Sequence, residues 1–497
     1  MKIINIMNFV RYCEPRREEN YRPRLFEATK GQLELVNEMG VDNTFLLQYD
    51  ALCDEHYVRL FKEQATDRTE LGLWYEIVAP LTYACGMPYR SERGWMWDWH
   101  IIPGFSMAYT KDERRRMIDE AMRKFKEVFG YYPRTVASWV IDTYTYNYLA
   151  EHSDIDAVAV CRDETNTDAY TLLGGYFNQA YYPSKNNIFT PAQSDTLRVN
   201  VPVFRLLGPC PIYNYDHRFI DFAEPTVYTL ETGTPLATNP DTVDWFYKTY
   251  FRNPDLGFSY SQIGQENSFC EWDLVTPLRM QIEKAMALGD VEFQKMGDTG
   301  RAFRKRFPGK TPATAVVATD NWDTADLQSV YYDCENYVVN IFRHGKETGI
   351  RAFYLFDERV EDIYNNTQCT TFDALYENLP LGDTVSWDPT GKENVGLVLD
   401  GNSVPFTAEE TAPGELTVTF GNKSVVCRES GVTLVGIDRA TYAPGTPKAD
   451  IRPEERGLVY TYKGTEYALT VQGGTVRKTD SGFVFEGDNM TLVPTKK

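Results

Sequence analysis

A chain of 497 residues is too long for one ordinary core and implies two or three domains, and its 42% hydrophobic and 14% aromatic residues exclude a disordered protein. Its 71 acidic against 51 basic residues give a net charge of -20, which sets it against nucleic acid and anionic membrane as partners. Nine cysteines scattered singly predict reduced thiols rather than a disulfide framework. No run reaches the roughly 18 apolar residues of a membrane helix, and the N-terminal residues read as a buried strand rather than a signal peptide, which points to a cytoplasmic protein.

The predicted elements alternate along the first 300 or so residues. KIINIMNFV (2–10) predicts a strand, and LFEATKGQLELVNEMG (25–40) a helix with Leu33, Val36 and Met39 at helical spacing before Gly40. NTFLLQYDAL (43–52) is a second strand closing on Asp50, and ELGLWYEIVAP (70–80) a third carrying Glu76. GWMWDWHIIPGF (94–105) concentrates Trp97, Asp98, Trp99 and His100 in a predicted loop, where aromatic faces with polar tips suit a sugar and suit equally an aromatic staple beneath a barrel mouth. TKDERRRMIDEAMRKFKEVFG (110–130) is the clearest helix: Thr110 and Glu113 form a capping box, Gly130 is the stop, and Arg114 to Arg116 are expected on a solvated face.

TVASWVIDTYTYNYLAE (135–151) takes an apolar strand-like run to Asp142 just before a helix. An acid at the C-terminal end of a barrel strand invites a catalytic role, while Asp is also a preferred N-cap. Residues 161–195 are polar, aromatic and aperiodic, and are expected to line a pocket through Arg162, Asp163, Asn178, Gln179 and Tyr181, or to form an ordered flap. Beyond about residue 310 short β runs separated by turns predict an all-β sandwich, possibly of two modules. The fold class is therefore α/β: an irregular parallel (β/α) barrel of seven or eight strands over residues 1–309, then β-sandwich material over 310–497.

Two stretches carry a family resemblance. SWVIDTYTYNYLAEHSDIDAVAVCRDE (138–164) resembles the strand-helix-strand unit of family 57 glycoside hydrolases that presents the nucleophilic carboxylate, and looks like the fourth-strand region of polysaccharide deacetylases, whose barrels share that architecture. FSYSQIGQENSFCEW (258–272) is similar to the later hydrolase strand that brings the acid/base to the cleft, with Glu266 and Trp272 in place but without the Gly-His-Trp that follows there. The whole chain resembles a bacterial family of the glycoside hydrolase and deacetylase barrel superfamily.

The resemblance implies a glycoside hydrolase acting on a carbohydrate without metal or other cofactor, with Asp142 as nucleophile or base and Glu266 as acid. Chemistry agrees in outline, because glycoside cleavage needs two carboxylates flanking the bond. Asp50, Glu76 and Asp320 are reserves, and Asp50, Glu76, Trp97, Trp99, His100 and Trp272 are expected to contact substrate together with the 161–195 set. Two alternatives remain: a non-catalytic sugar-binding protein on a decayed barrel, and a deacetylase with an altered metal site. For the latter, the histidines at 56, 100, 152, 217 and 344 lack the close spacing of the deacetylase motif. Nothing in the sequence predicts an oligomeric state.

Overall fold

The computed structural model describes residues 1–15, 21–167, 169–206, 208–213, 237–323, 325–383, 396–445 and 447–497; His217 lies outside them. Its first part is a parallel sheet of strands β1 (Lys2–Val10), β2 (Asn43–Leu47), β3 (Thr69–Trp74), β4 (Thr135–Ala137), β5 (Ala157–Cys161), β6 (Val203–Leu206) and β7 (Ser259–Ile263), in the order β6-β5-β4-β3-β2-β1-β7. A short β8 (Glu292–Phe293) also pairs with β1. Helices α1 (Tyr21–Met39), α2 (Glu55–Gln64), α3 (Lys111–Phe129), α4 (Thr143–His152), α5 (Pro240–Phe251), α6 (Val275–Leu288) and α7 (Met296–Arg306) complete this half. Strands covered on both faces read as continuous apolar runs, as β1 does.

The sheet curls into a nearly closed barrel, and the remaining seam lies between β6 and β7. Residues 176–182 fill it. Tyr181 bridges antiparallel to Val203 on β6, the Asn178 Nδ2 donates to the Tyr260 carbonyl on β7 at 2.7 Å, and the Phe204 and Tyr260 rings meet across the gap at 5.1 Å. The expected 161–195 loop is thus partly strand, with Tyr170–Leu172 and Asn187–Pro191 among its short pieces.

The N-terminal end of the barrel is plugged by α7. Glu70 accepts the Gly297 N–H at the start of that helix at 2.8 Å and the Thr135 hydroxyl at 2.8 Å, a half-buried acid placed where a helix N-terminus favours one. Gly300 permits the close approach, since a Cβ there would sit 2.2 Å from the Asp156 carbonyl oxygen. Higher up, Phe9 stacks on Trp74 at 4.1 Å and meets Trp139 edge-on at 5.5 Å.

The C-terminal part is one continuous antiparallel sheet of 15 strands. Its leading strands, β9 (Thr314–Ala318), β10 (Leu327–Cys334), β11 (Tyr337–His344) and β12 (Glu347–Leu355), serve two cores at once because side chains alternate across a sheet. Val316, Tyr331, Val338 and Tyr354 join the apolar core of the barrel, whereas Val317, Val330, Tyr332, Val339 and Phe353 pack with Leu416, Leu434 and Leu469 from the later strands. After β12 the chain returns to the barrel, where the Cys369 N–H donates to Met107 O at 2.8 Å and Ala374–Tyr376 pairs with Tyr170–Leu172.

Asp333 sits in the barrel–sheet interface, accepting from the Phe177 N–H at 3.0 Å and facing Thr314, Asp163 and Arg205. Burial pushes its carboxyl up to about 7, partly offset by that N–H. A folded-state value above the unfolded one means that the native protein binds more protons between about pH 4 and 7, so stability is full below that window and is lost as pH rises through it. Asp333→Asn is expected to stabilise the protein at pH 8, on the order of 1–4 kcal/mol, with little effect at pH 4. Denaturant unfolding at the two pH values checks this, and equal shifts at both would refute it.

Candidate active site at the barrel mouth

Residues just beyond the C-terminal ends of barrel strands stand at the mouth. Arg11 follows β1, Gln48 follows β2, Glu76 lies just past β3 and Glu266 just past β7. Gly264 makes the last placement possible: at φ +107°, where a Cβ would sit 2.3 Å from the Met7 carbonyl oxygen, it turns the chain so that Glu266 comes beside Phe9.

These four side chains form one network. Arg11 donates from Nε and Nη2 to the two Glu76 oxygens at 3.1 and 2.9 Å, and from Nη1 to Glu266 Oε2. Gln48 Nε2 donates to Glu76 Oε2 at 2.6 Å, and the Ser268 hydroxyl donates to Glu266 Oε1. The backbone of Arg11 is clamped by Asn267, whose Oδ1 accepts from Arg11 N and whose Nδ2 donates to Arg11 O, both at 2.9 Å. The Trp97 ring covers the guanidinium at 4.2 Å. Burial works against the charge on Arg11, but Glu266 and Glu76 outweigh it and hold the group protonated. Burial raises the Glu76 carboxyl, with Arg11 opposing.

Around this network the loop 91–105 builds an aromatic ledge. Trp95 stacks on Trp99 at 5.0 Å, Trp99 meets His100 at 5.3 Å, and His100 meets Phe372 of the returning segment at 5.8 Å. Asp98 anchors the ledge, with His100 Nδ1 at 2.7 Å and Arg93 Nη1 at 3.2 Å from its oxygens. Burial would raise the Asp98 carboxyl, but the His100 and Ser91 hydrogen bonds prevail and lower it.

The other expected site residues are distributed more widely. Asp50 takes the N–H groups of Cys13, Tyr12 and Ala51 and pins the turn after β1; burial raises its carboxyl to about 6 against those bonds. Trp272 is 51% exposed and packs on Phe269 beyond Glu266. Arg162, Asp163, Asn178, Gln179 and Tyr181 are buried in the seam and under the sheet, where Asp163 pairs with Arg205 at 3.0 Å and the Tyr181 hydroxyl donates to Ile188 O. Asp320, the reserve acid, pairs with Lys248 on α5.

Arg114 corrects the sequence reading, and Asp142 takes the capping role that the sequence left open beside a catalytic one. Arg114 was expected in solvent, yet it is buried, because α3 turns this one residue of the Arg114 to Arg116 run inward. It donates to Asp142 Oδ1 at 2.8 Å and to the carbonyls of Tyr109, Met107, Tyr364 and Thr367. Asp142 is the N-cap of α4, accepting from Thr145 N at 3.0 Å, and its second oxygen takes the Thr145 and Ser106 hydroxyls. Both oxygens are occupied, so the acid joins α3, α4 and the returning segment instead of facing Arg11.

Sequence reasoning missed Arg11, Gln48 and Asn267. The one available signal was a charged residue directly after the apolar run of β1, in NFVRYCEP. Among the described residues, no three His, Cys, Asp or Glu side chains are gathered so as to hold a metal ion.

Asp142→Asn keeps the cap but strands a buried guanidinium, a loss of roughly 3–5 kcal/mol where capping alone would predict almost none. Arg114→Met is expected to cost a similar amount, and the double variant less than the sum. Chemical denaturation of the three variants tests this; Asp142→Asn unfolding like the parent would contradict it.

Comparison with known proteins bears on the fold. No protein-family model matches the chain, and no curated protein matches its sequence. Among solved structures, a candidate glycoside hydrolase/deacetylase from Parabacteroides distasonis aligns at TM-score 0.50 and 14% identity, over 77% of this chain and 88% of its own. A candidate polysaccharide deacetylase from Pseudomonas aeruginosa PAO1 aligns at TM-score 0.39 and 13% identity, over 62% and 93% of the two chains. The 4-alpha-glucanotransferase of Thermococcus litoralis aligns at TM-score 0.33 and 9% identity, over 100% and 98%. The alignment with the Parabacteroides distasonis structure shows a shared fold.

Proposed function

We propose that this protein is a glycoside hydrolase whose two working carboxylates are Glu76 and Glu266. The observation that carries the reading is the shared guanidinium of Arg11, which holds two acids from strands on either side of β1 within the reach of one side chain. Glycoside cleavage needs one carboxyl to protonate the leaving oxygen and a second to attack or to activate water. Glu76, whose carboxyl burial raises with Arg11 opposing, suits the acid, since a raised carboxyl is the better proton donor of a pair. Glu266, steadied by the Ser268 hydroxyl and Arg11, suits the nucleophile or base. The Trp95, Trp99 and His100 ledge offers ring faces to a sugar beside the mouth.

One observation favours a second reading, a sugar-binding protein without turnover: Glu76 is 1% exposed and Glu266 3%. Screening against aryl glycosides and natural glycans separates the two. For a hydrolase, Glu266→Gln is expected to lower kcat/KM by roughly 10²–10⁴-fold on every substrate, and Glu76→Gln by a similar factor on poor leaving groups while sparing activated ones. Undiminished turnover in either folded variant removes that residue from the chemistry. Glycan binding with no turnover by the parent protein supports the second reading.

A further inference from the structure

The outer wall of the barrel carries a second aromatic surface, remote in the chain from the residues of the mouth. Beyond the end of α3 the turn displays Tyr131 and Tyr132, 47% and 48% exposed. They border a groove of about 1020 Å³ whose far side is α4 and whose floor includes Met122 and Leu149. On α4, Tyr144, Tyr148 and His152 recur every four residues and so stand in one file. The Tyr144 and Tyr148 rings stack at 6.4 Å, and the Tyr148 and His152 rings are 4.3 Å apart. Of these three, Tyr148 and His152 line the groove.

Polar groups alternate with the rings. The Tyr148 hydroxyl donates to both Asp119 oxygens, at 3.0 and 3.1 Å, which fixes the ring and leaves less freedom to lose on binding. Arg123 and Arg134 reach the groove, but each is already paired, Arg123 with Glu120 and Glu127 and Arg134 with Asp156. With Asp119, Glu151 and Asp154 also in the lining, the groove holds no surplus positive charge to capture a phosphate or a polyanion. Tyr131 and Tyr132, the latter with Lys126 over its ring at 4.4 Å, expose part of their aromatic surface beside carboxylates and hydroxyls, which matches a molecule with apolar C–H faces and hydroxyl edges.

We propose that this groove is a second carbohydrate-binding site, taking a neutral oligosaccharide or polysaccharide chain. It shares its ligand class with the hydrolase reading but does not depend on the Glu76 and Glu266 chemistry. Its place outside the mouth would hold a polymer on the enzyme surface between cleavage events.

Affinity electrophoresis of the full chain in native gels tests the proposal, using soluble neutral glucans, mannans and xylans, with polygalacturonate and heparin as anionic probes. At least one neutral polysaccharide is expected to retard the protein. Tyr132→Ala/His152→Ala, which removes exposed side chains and so leaves the fold in place, is expected to weaken that retardation at least tenfold while turnover of small aryl glycosides is unchanged. Tyr131→Ala provides an independent variant on the other side of the turn and should weaken it too. Arg59→Ala, on the exposed face of α2 away from both the groove and the mouth residues, should leave retardation as it is. Retardation by none of the neutral probes, by the anionic probes alone, or unaltered in the groove variants would overturn the proposal. If the protein hydrolyses no glycan yet shows tyrosine-dependent retardation, the hydrolase reading falls and the groove stands.

Discussion

Arg11 leaves β1 with its guanidinium 1% exposed, and a cation in that position is tolerable only when acceptors surround it. Glu76 and Glu266 supply them, and to do so β3 and β7 must deliver their ends to the same side of the barrel at the same height. Gln48 and Asn267 complete the shell from β2 and from the turn after β7, and Trp97 closes it above. One buried charge therefore sets the register of strands distant in sequence, and the same arrangement gathers two carboxylates where a barrel does its chemistry. A buried cluster of this kind is weak evidence for stability in itself, since desolvation can cancel the attraction. Its value here is in positioning.

Arg114 and Asp142 meet the same electrostatic requirement with a different outcome. Arg114 is ringed by backbone carbonyls as well as by the acid, and those carbonyls come from the loop before α3 and from the segment returning after β12. The pair fastens helices to the strap that comes back from the antiparallel sheet. Two strand-end acids, Glu76 and Asp142, thus look alike in sequence and differ in the partners that tertiary packing gives them.

The seam between β6 and β7 explains why the barrel and the sheet cannot be separated cleanly. Residues 176–182 close the barrel, and the same stretch presents Phe177 to the sheet, where its ring stacks on Tyr331 at 3.6 Å and its N–H meets Asp333. The strands beginning at Thr314 then place alternate side chains into the barrel core and into the core of the later strands. Closure of the first layer is accordingly coupled to packing of the second, and the buried acid between them makes that coupling sensitive to pH.

Periodicity and end signals in the sequence were sufficient for the parallel barrel, for α3 with its Thr110 capping box and Gly130 stop, and for the antiparallel strands beyond residue 310, because each rests on residues close together in the chain. The same local signals marked Asp50, Glu76 and Asp142 as acids near strand ends, and the family resemblance added Glu266. They could not rank those acids, since a cap, a turn anchor and a mouth carboxylate share one local pattern. What separated them was contact over long stretches of chain: Arg11 with Glu266 across 255 positions, Arg114 with Tyr364 across 250, Asp50 with Cys13 across 37. The sequence by itself determined which segments bury an apolar face and where helices begin and end, a matter of side-chain spacing and backbone preference. Only the tertiary structure decided which charge faces which, because pairing depends on closing the barrel, and closure is a property of no single segment.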